Sequence, residues 1–374
     1  MSARPKNPFK PTFGVSPPLL VGRDELIGDF RDALDDGPGG PARATLYTGA
    51  RGTGKTVMLN AVQDEARSRG WLVIAEAATP GLLKRLTGEH LPQLLAEQDP
   101  KATRRRLSGV TAPAGLGGAN WETTDLHVIV PGLRSQITSL CEMLASGETG
   151  LLITVDELHR SLFDELVQLC TVVQHAFREE LELMFVGAGL PASVSDLLSE
   201  GVLTFLRRAE RYDLGKVADD DVALAIERPI ADAGRTIAAD ALQLAVTATA
   251  GYPFLIQLVG YRIWRQHPER GKITVDDARV GVEEARRRLG SLVYSPAFQA
   301  CSDIDKTFLL AMARDDGPSK ISDIAKRLEV KPDYTNVYRK RLIENQLIES
   351  AGRGKLDFSL PGLRDYLREH AAID

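Results

Sequence analysis

One run of residues has the types and spacing that suit polyphosphate binding: Gly49-Ala50-Arg51-Gly52-Thr53-Gly54-Lys55-Thr56. Glycines let the backbone take positive φ, so that successive N–H groups can point at phosphate oxygens. Lys55 can reach the β- and γ-phosphates, and the hydroxyl of Thr56 can bind Mg²⁺. A strand-like stretch precedes the run and a helical pattern follows it, which favours a phosphate loop over a glycine-rich turn with a surface lysine.

A second run places two carboxylates at the end of an apolar strand, in Leu151-Leu152-Ile153-Thr154-Val155-Asp156-Glu157. Asp156 can hold magnesium through water, and Glu157 can orient and deprotonate an attacking water. Such a strand end could instead be a solvated edge, but the phosphate loop upstream favours the catalytic interpretation. His159 would make this run a helicase-type Asp-Glu-x-His motif. The C-terminal part has too few strands for a second helicase domain, so His159 is predicted to be a helix-surface residue.

Composition describes a soluble globular protein with more than one domain. The chain has 374 residues, of which 43% are hydrophobic and 26% charged, with a net charge of −5. No apolar run approaches the roughly 20 residues that a membrane helix needs, so no membrane association is expected. The three cysteines are far apart and odd in number, which predicts neither a disulfide framework nor a cysteine metal site. We expect a cytoplasmic protein whose contacts with DNA, if any, come from a local patch.

The elements around these motifs predict an α/β fold. Strand-like segments at 44–48, 71–75, 151–155, 181–186 and 212–214 alternate with helical patterns at 57–69, 133–145 and 158–178. This alternation predicts a parallel sheet with helices on both faces. Residues 1–18 are predicted to be an extended arm, and 19–216 the nucleotide-binding domain, with an insertion at about 77–130.

From about residue 219 the pattern becomes helical, which predicts a helical lid over 217–290 followed by a linker at 290–302. Residues 291–374 then show three helical segments and two short strands at 347–350 and 356–359. Three helices followed by a hairpin is the order of a winged helix.

These motifs resemble AAA+ ATPases of the origin-recognition and STAND-related groups. The resemblance rests on Val21-Gly22-Arg23-Asp24-Glu25, the phosphate loop, the Asp-Glu strand and Gly251-Tyr252-Pro253. The opening Phe13-Gly14-Val15-Ser16-Pro17-Pro18 is also similar to a set of poorly characterised bacterial ATP-binding proteins. The resemblance implies ATP or ADP as ligand with Mg²⁺, and it places Val21 and Gly22 against the base. Val57 and Pro253 complete the predicted nucleotide contacts.

The sequence departs from this family at two positions. Members usually carry a polar sensor residue at the end of the strand that here ends Gly187-Ala188-Gly189, and an arginine where this lid has Phe254. These departures predict slow hydrolysis, with ATP acting as a conformational signal. The resemblance also implies an arginine finger from a neighbouring subunit of a homo-oligomer. Arg208 is the candidate and Arg207 the reserve; a solvated helix end is the alternative.

The predicted recognition helix of the winged helix suggests contacts with duplex DNA. Val337, Leu342 and Ile343 are expected to pack inward, leaving Thr335, Asn336, Arg339 and Lys340 outward, with Arg353 and Lys355 on the wing. Those residue types suit phosphates and base edges. From residue 301 onward 13 basic residues balance 13 acidic ones, so a protein-docking role is an open alternative.

Two functions compete on these grounds. The first is a slow ATPase that acts as a nucleotide-dependent switch on the winged helix. The second is a remodelling ATPase whose winged helix serves only protein contacts. Threading members of the family usually have an aromatic pore loop after the second strand, and Ala77-Ala78-Thr79-Pro80-Gly81-Leu82 has no aromatic residue. A small-molecule kinase would leave the winged helix unexplained.

Overall fold

The computed structural model describes residues 5–12, 14–98, 132–199 and 206–370. Its centre is a parallel sheet of five strands, β1 (Ala44–Thr48), β2 (Leu72–Ala77), β3 (Leu151–Leu158), β4 (Leu183–Gly189) and β5 (Glu210–Asp213). The strands lie in the order β2-β3-β4-β1-β5, and every neighbouring pair is parallel. The predicted parallel α/β sheet is confirmed.

Helices cover both faces of this sheet, which is why β4 is buried along its entire length. On one face lie α1 (Asp24–Asp35) and α2 (Lys55–Ser68), around a core that includes Phe30 and Met58. The other face holds α3 (Leu82–Arg85), a π-helical turn (Leu86–His90), α4 (Leu91–Gln98), α5 (Leu133–Ala145) and α6 (Phe163–Arg178). Residues 99–130 of the predicted insertion lie outside the described residues.

The strand that carries the two carboxylates is longer than predicted. Its register with β4 shifts between Val155 and Leu158, and the strand continues to Leu158. The prediction that His159 lies on a helix surface is therefore wrong, because α6 begins only at Phe163. The His159 ring is half-buried, with Nε2 lying 2.8 Å from the carbonyl oxygen of Ala78.

Beyond the sheet the chain forms a layer of four helices, here called the helical segment (219–289). Its members are α8 (Asp219–Asp232), α9 (Ala239–Thr249), α10 (Pro253–Arg265) and α11 (Val275–Leu289). The predicted helices are confirmed. Two short parallel strands, β6 (Thr236–Ile237) and β7 (Lys272–Ile273), were not predicted, because two residues are too short for an alternating pattern.

The stretch predicted as a linker is helical. A π-helical turn (Gly290–Tyr294) and α12 (Ser295–Gln299) continue the chain from α11. Tyr294 is buried and its ring lies 5.3 Å from the ring of Tyr366, so this stretch packs instead of crossing solvent.

The remaining residues form what we call the C-terminal module (303–370). Its helices are α13 (Asp303–Ala313), α14 (Ile321–Arg327), α15 (Pro332–Glu344) and α16 (Leu363–His370). An antiparallel sheet joins β8 (Ser319–Lys320), β10 (Lys355–Phe358) and β9 (Ile348–Ser350), in that order. Neither β8 nor α16 was predicted.

The predicted orientation of α15 is wrong at two positions. Thr335 was expected to face outward but is fully buried, and Val337 was expected to pack inward but is 63% exposed. The buried stripe of the helix consists of Thr335, Tyr338 and Leu342, at spacings of three and four residues. Val337 lies about 200° around the helix from Thr335, so it faces solvent.

No helix in the described parts of the chain combines the length and apolar character that crossing a membrane requires. The three cysteines are buried and form no disulfide. Within the described ranges no cluster of histidine, cysteine and carboxylate side chains has the arrangement of a metal site.

Candidate nucleotide-binding site

The loop after β1 has the backbone shape that a phosphate cradle needs. Gly49, Gly52 and Gly54 have φ values of 152°, 79° and 94°. A Cβ on Gly49 would lie 2.6 Å from Thr53 Oγ1 and 2.8 Å from the carbonyl oxygen of Leu214. The position therefore has no room for a side chain, and the hydroxyl of Thr53 closes the turn by donating to the carbonyl oxygen of Ala50 over 2.8 Å.

Lys55 begins α2 directly after Gly54. Its ammonium donates to the carbonyl oxygens of Gly49 and Ala50, at 2.7 and 2.9 Å, so the cation lies inside the curve of the loop. Burial lowers the pKa of Lys55 to about 8, although the nearby carboxylate of Asp156 opposes that shift. A half-buried cation inside a glycine-rich loop at the start of a helix is an arrangement that favours a polyanion.

The two predicted magnesium ligands meet across the sheet. The hydroxyl of Thr56, in the first turn of α2, donates over 2.6 Å to Oδ2 of Asp156, near the carboxyl end of β3. Glu157 follows in a left-handed backbone conformation, with φ of 57°, and its own N–H donates to Asp156 Oδ1 over 2.8 Å. The turn directs the exposed Glu157 side chain into the same cavity as Lys55.

A cavity of about 670 Å³ joins these groups. Most of the predicted nucleotide-contact residues line it, namely Val21, Arg51, Gly52, Thr53, Gly54, Lys55, Thr56, Val57 and Pro253, together with Asp156 and Glu157. Gly22, Gly49 and Ala50 do not line it. Gly22, with φ of 63°, faces α8, where an added Cβ would lie 3.1 Å from Asp221 Oδ2.

The helical segment contacts the phosphate loop through residues that the sequence did not single out. The hydroxyl of Tyr252 donates to the carbonyl oxygen of Arg51. The backbone N–H of Phe254 donates to the carbonyl oxygen of Gly52 over 3.2 Å. Tyr252 is buried, which raises the pKa of its hydroxyl to about 12. Its position between Gly251 and Pro253, just before α10, was the only available signal.

The C-terminal module also contacts the phosphate loop. The side-chain oxygen Oε1 of Gln346 accepts a hydrogen bond from the backbone N–H of Arg51 over 2.8 Å. Gln346 follows the last turn of α15, is 7% exposed and has φ of 57°. Glu349, three residues on, lies close enough to Lys216 and Asp213 to interact with both charges, and burial raises its pKa. No sequence pattern signals a contact between positions 51 and 346.

The end of β4 explains why a polar sensor is missing. A Cβ on Gly187 would lie 2.6 Å from the side chain of Leu158, and one on Gly189 would lie 2.9 Å from the carbonyl oxygen of Leu158. The extension of β3 to Leu158 occupies the space that a sensor side chain would need. Phe254, at the position of the family's lid arginine, lines the cavity.

The candidate finger residues lie outside the cavity of their own chain. Arg207 is held by the end of α7 (Pro191–Ser199), where its Nε donates to the carbonyl oxygen of Leu198 over 2.7 Å. Arg208 is exposed, and no ion pair or hydrogen bond of its side chain is present within the described residues. A role for Arg208 therefore requires a second subunit.

The candidate DNA-contact residues lie on one module but differ in exposure. Asn336, Lys340, Arg353 and Lys355 are exposed, Arg339 is half-buried and Thr335 is fully buried. Lys340 lies 3.7 Å from Glu344, its ion-pair partner on the same helix. In addition, α15 approaches α7 of the sheet region, so part of this helix faces the rest of the chain.

Over residues 19–186 the fold and the site are those of an AAA+ P-loop domain, as the sequence motifs predicted. Residues 19–186 match the family model described as an AAA ATPase domain, and residues 291–367 match a domain of unknown function (DUF8462). No curated protein matches the sequence.

Two solved structures share this fold. The Walker-type ATPase of Pyrococcus abyssi aligns with a TM-score of 0.64 at 15% identity, over 93% of this chain and 96% of that chain. The ORC2 protein of Aeropyrum pernix, solved as ADPNP–ADP complexes, aligns with a TM-score of 0.57 at 14% identity, over 96% of both chains. At such identities the similarity concerns the fold alone.

Proposed function

We propose that this protein is a slow ATPase that uses ATP with Mg²⁺ as a switch, and that the bound nucleotide controls how the C-terminal module engages DNA or a protein partner. The hydrogen bond between Gln346 and the backbone of Arg51 carries this proposal, because it joins the module to the phosphate loop itself. A nucleotide that binds the loop more tightly with the module docked than with it released, or the reverse, shifts the module between those two states.

The cradle fits a nucleoside triphosphate. Three glycines with positive φ curve the loop, and the Lys55 ammonium already lies inside that curve. The Thr56 hydroxyl and the Asp156 carboxylate are hard oxygen donors, which suit Mg²⁺ bound with part of its water shell. When bound, the metal supplies positive charge beside the phosphates.

Residues of this chain would perform the remaining chemistry. Glu157 orients the attacking water and accepts its proton. Lys55 neutralises charge on the β- and γ-phosphates. Hydrolysis is slow because Gly189 offers no polar group to the water, and because Phe254 offers no cation to the phosphate. Arg208 of a neighbouring subunit could supply that cation in a homo-oligomer.

We propose domain boundaries that follow these roles: an arm at 1–18, a nucleotide-binding domain at 19–216, a lid at 217–290 and a winged helix at 291–374. The succession of α13, α14 and α15 followed by the β9–β10 hairpin supports the winged-helix assignment. Asn336, Arg339, Lys340, Arg353 and Lys355 are the proposed DNA contacts. The balanced charge of the module favours the runner-up, a remodelling ATPase whose module binds protein.

Nucleotide content and turnover test the switch. We expect the purified protein to retain ATP or ADP, to release phosphate slowly, and to lose nucleotide affinity on Lys55→Ala. Glu157→Gln should retain ATP without releasing phosphate. Fast basal or partner-stimulated turnover would instead support the remodelling ATPase, and wild-type affinity in Lys55→Ala would end both proposals.

The DNA contacts and the finger have separate tests. Binding to duplex DNA should weaken with salt, and replacing Arg339, Lys340 and Arg353 should lower the salt slope by about one per lost phosphate contact. An unchanged slope would leave protein docking as the role of the module. For the finger, mixing Arg208→Ala with Glu157→Gln subunits should restore part of the activity; no rescue from a protein that stays monomeric in ATP excludes a trans arginine.

A further inference from the structure

The described residues of the N-terminal arm contribute to the wall of the nucleotide cavity. Lys10, Thr12, Gly14, Val15 and Pro17 line the same cavity as the phosphate loop and the start of α10. Residues of α2, which begins at Lys55, and of α10 in the helical segment line the cavity as well. The arm contacts both helices.

The first anchor holds the arm to α10. Asn7 Nδ2 donates to the carbonyl oxygen of Tyr261 over 3.0 Å, and the backbone N–H of Lys10 donates to Gln257 Oε1 over 3.1 Å. Phe9 between them is 2% exposed, and its ring lies so close to Gly260 that a Cβ there would collide with it. A buried ring and two hydrogen bonds make this the firmer attachment.

The second anchor holds the arm to α2 through one side chain. Asn60 Nδ2 donates to the carbonyl oxygen of Gly14 over 2.9 Å and reaches Ser16 Oγ at 3.4 Å. Gly14, with φ of 74°, turns the chain close against the P-loop helix, where an added Cβ would lie 3.6 Å from the Thr56 methyl group. Asn60 is half-buried. The hydrogen bond from this one side-chain amide is easier to break than the Phe9 anchor.

We propose that the arm is a strap that closes the nucleotide site, with Asn60 as its latch, so that release of this latch limits nucleotide exchange. The inference rests on the proposed nucleotide-binding function. A ligand in the cavity lies behind a chain segment that is tied to both walls, so entry and exit both require the strap to open. Opening at Asn60 leaves the Phe9 anchor in place, and the arm then swings out with α10.

A strap and a simple ligand contact differ in their kinetics. If only the strap-open state exchanges nucleotide, weakening the latch raises the association and dissociation rates together, and the dissociation constant changes little. If Asn60 instead contributed binding energy, its loss would raise the dissociation rate alone.

Stopped-flow measurement of association and release of a fluorescent ADP analogue tests this. In Asn60→Ala we expect both rates to rise roughly 2- to 10-fold, the factor that loss of one net hydrogen bond produces. Phe9→Ala should raise both rates at least as much from the other anchor. Asp64→Ala is the matched control: this residue of α2 is exposed, its ion-pair partner among the described residues is Arg67, at 3.1 Å, and its loss should leave both rates unchanged.

Each outcome decides between the hypotheses. No detectable binding by the wild-type protein would refute the proposed function, and the strap with it. Normal wild-type binding with Asn60→Ala and Phe9→Ala rates equal to those of Asp64→Ala would overturn the strap alone. A faster release with an unchanged association rate would also overturn it, by making Asn60 a ligand contact.

Discussion

Nucleotide affinity should depend on pH through Lys55. In the folded protein burial lowers the pKa of this ammonium from 10.5 to about 8. Bound phosphates hold the group charged, so above that pKa binding must take up a proton. We expect affinity to be constant below about pH 8 and to weaken by up to about tenfold per pH unit above it, or about 1.4 kcal/mol per unit.

The stability of the protein without nucleotide should move in the opposite direction. Between pH 8 and pH 10.5 the unfolded chain keeps the Lys55 proton while the folded chain has lost it. The unfolded state then binds more protons, so the contribution of Lys55 to the free energy of unfolding rises with pH across that window. Below the pKa that Lys55 has in the folded protein, the buried positive charge lowers the free energy of unfolding. This unfavourable contribution disappears as the ammonium loses its proton.

Titrations with a fluorescent ADP analogue from about pH 7 to about pH 9.5 measure the effect, a range in which Lys55 changes charge. Lys55→Met is the matched control, since it keeps the length of the side chain and removes the charge. It should bind more weakly, and with a flat profile. A flat wild-type profile, or the same slope in both proteins, would refute the assignment of Lys55 as the titrating ligand.

Three further substitutions test the contacts around the loop. Gln346→Ala should weaken the docking equilibrium of the C-terminal module on the phosphate loop roughly 2- to 10-fold, as expected for one net hydrogen bond. Backbone hydrogen exchange at residues 346–350 should become faster, and unchanged exchange would contradict the prediction. Gly52→Ala should destabilise the loop by about 1–3 kcal/mol, because φ at this position is 79° and the added Cβ would collide with the hydroxyl end of the Tyr252 side chain. Adding Tyr252→Phe, which removes that hydroxyl, should partly restore the melting temperature. Gly189→Asn, which introduces a polar sensor residue, should lower the free energy of unfolding by about 1–3 kcal/mol, because its Cβ would lie 2.8 Å from Val194 and 2.9 Å from Leu158. Phosphate release should not become faster. Faster release together with a normal melting temperature would contradict this prediction.

Local patterns predicted the sheet and the phosphate loop well. The strand at Ala44–Thr48 and the helix at Leu133–Ala145 have the predicted bounds. Each is a buried or strongly periodic segment, where the sequence itself records which face meets the core. The phosphate loop follows from chemistry that only glycines and one lysine can supply at that spacing.

What failed depends on contacts between distant residues. The orientation of α15 was wrong because Tyr338, not Val337, faces the core of the C-terminal module, and an aromatic residue fits either face of a polar helix. The bond from Arg51 to Gln346 spans 295 positions, and the one from Gly14 to Asn60 spans 46. Periodicity within one element carries no information about such pairs.

The backbone of Glu157 has a consequence for the evolution of this protein. A glutamate at φ of 57° occupies a region where glycine or asparagine would be more comfortable, and the cost is of order 1 kcal/mol. Selection for robustness alone would therefore replace the residue whose carboxylate enters the cavity. On the role proposed above for Glu157, variants selected at this position for heat resistance alone would release no phosphate, and a retained glutamate would then reflect selection for that role.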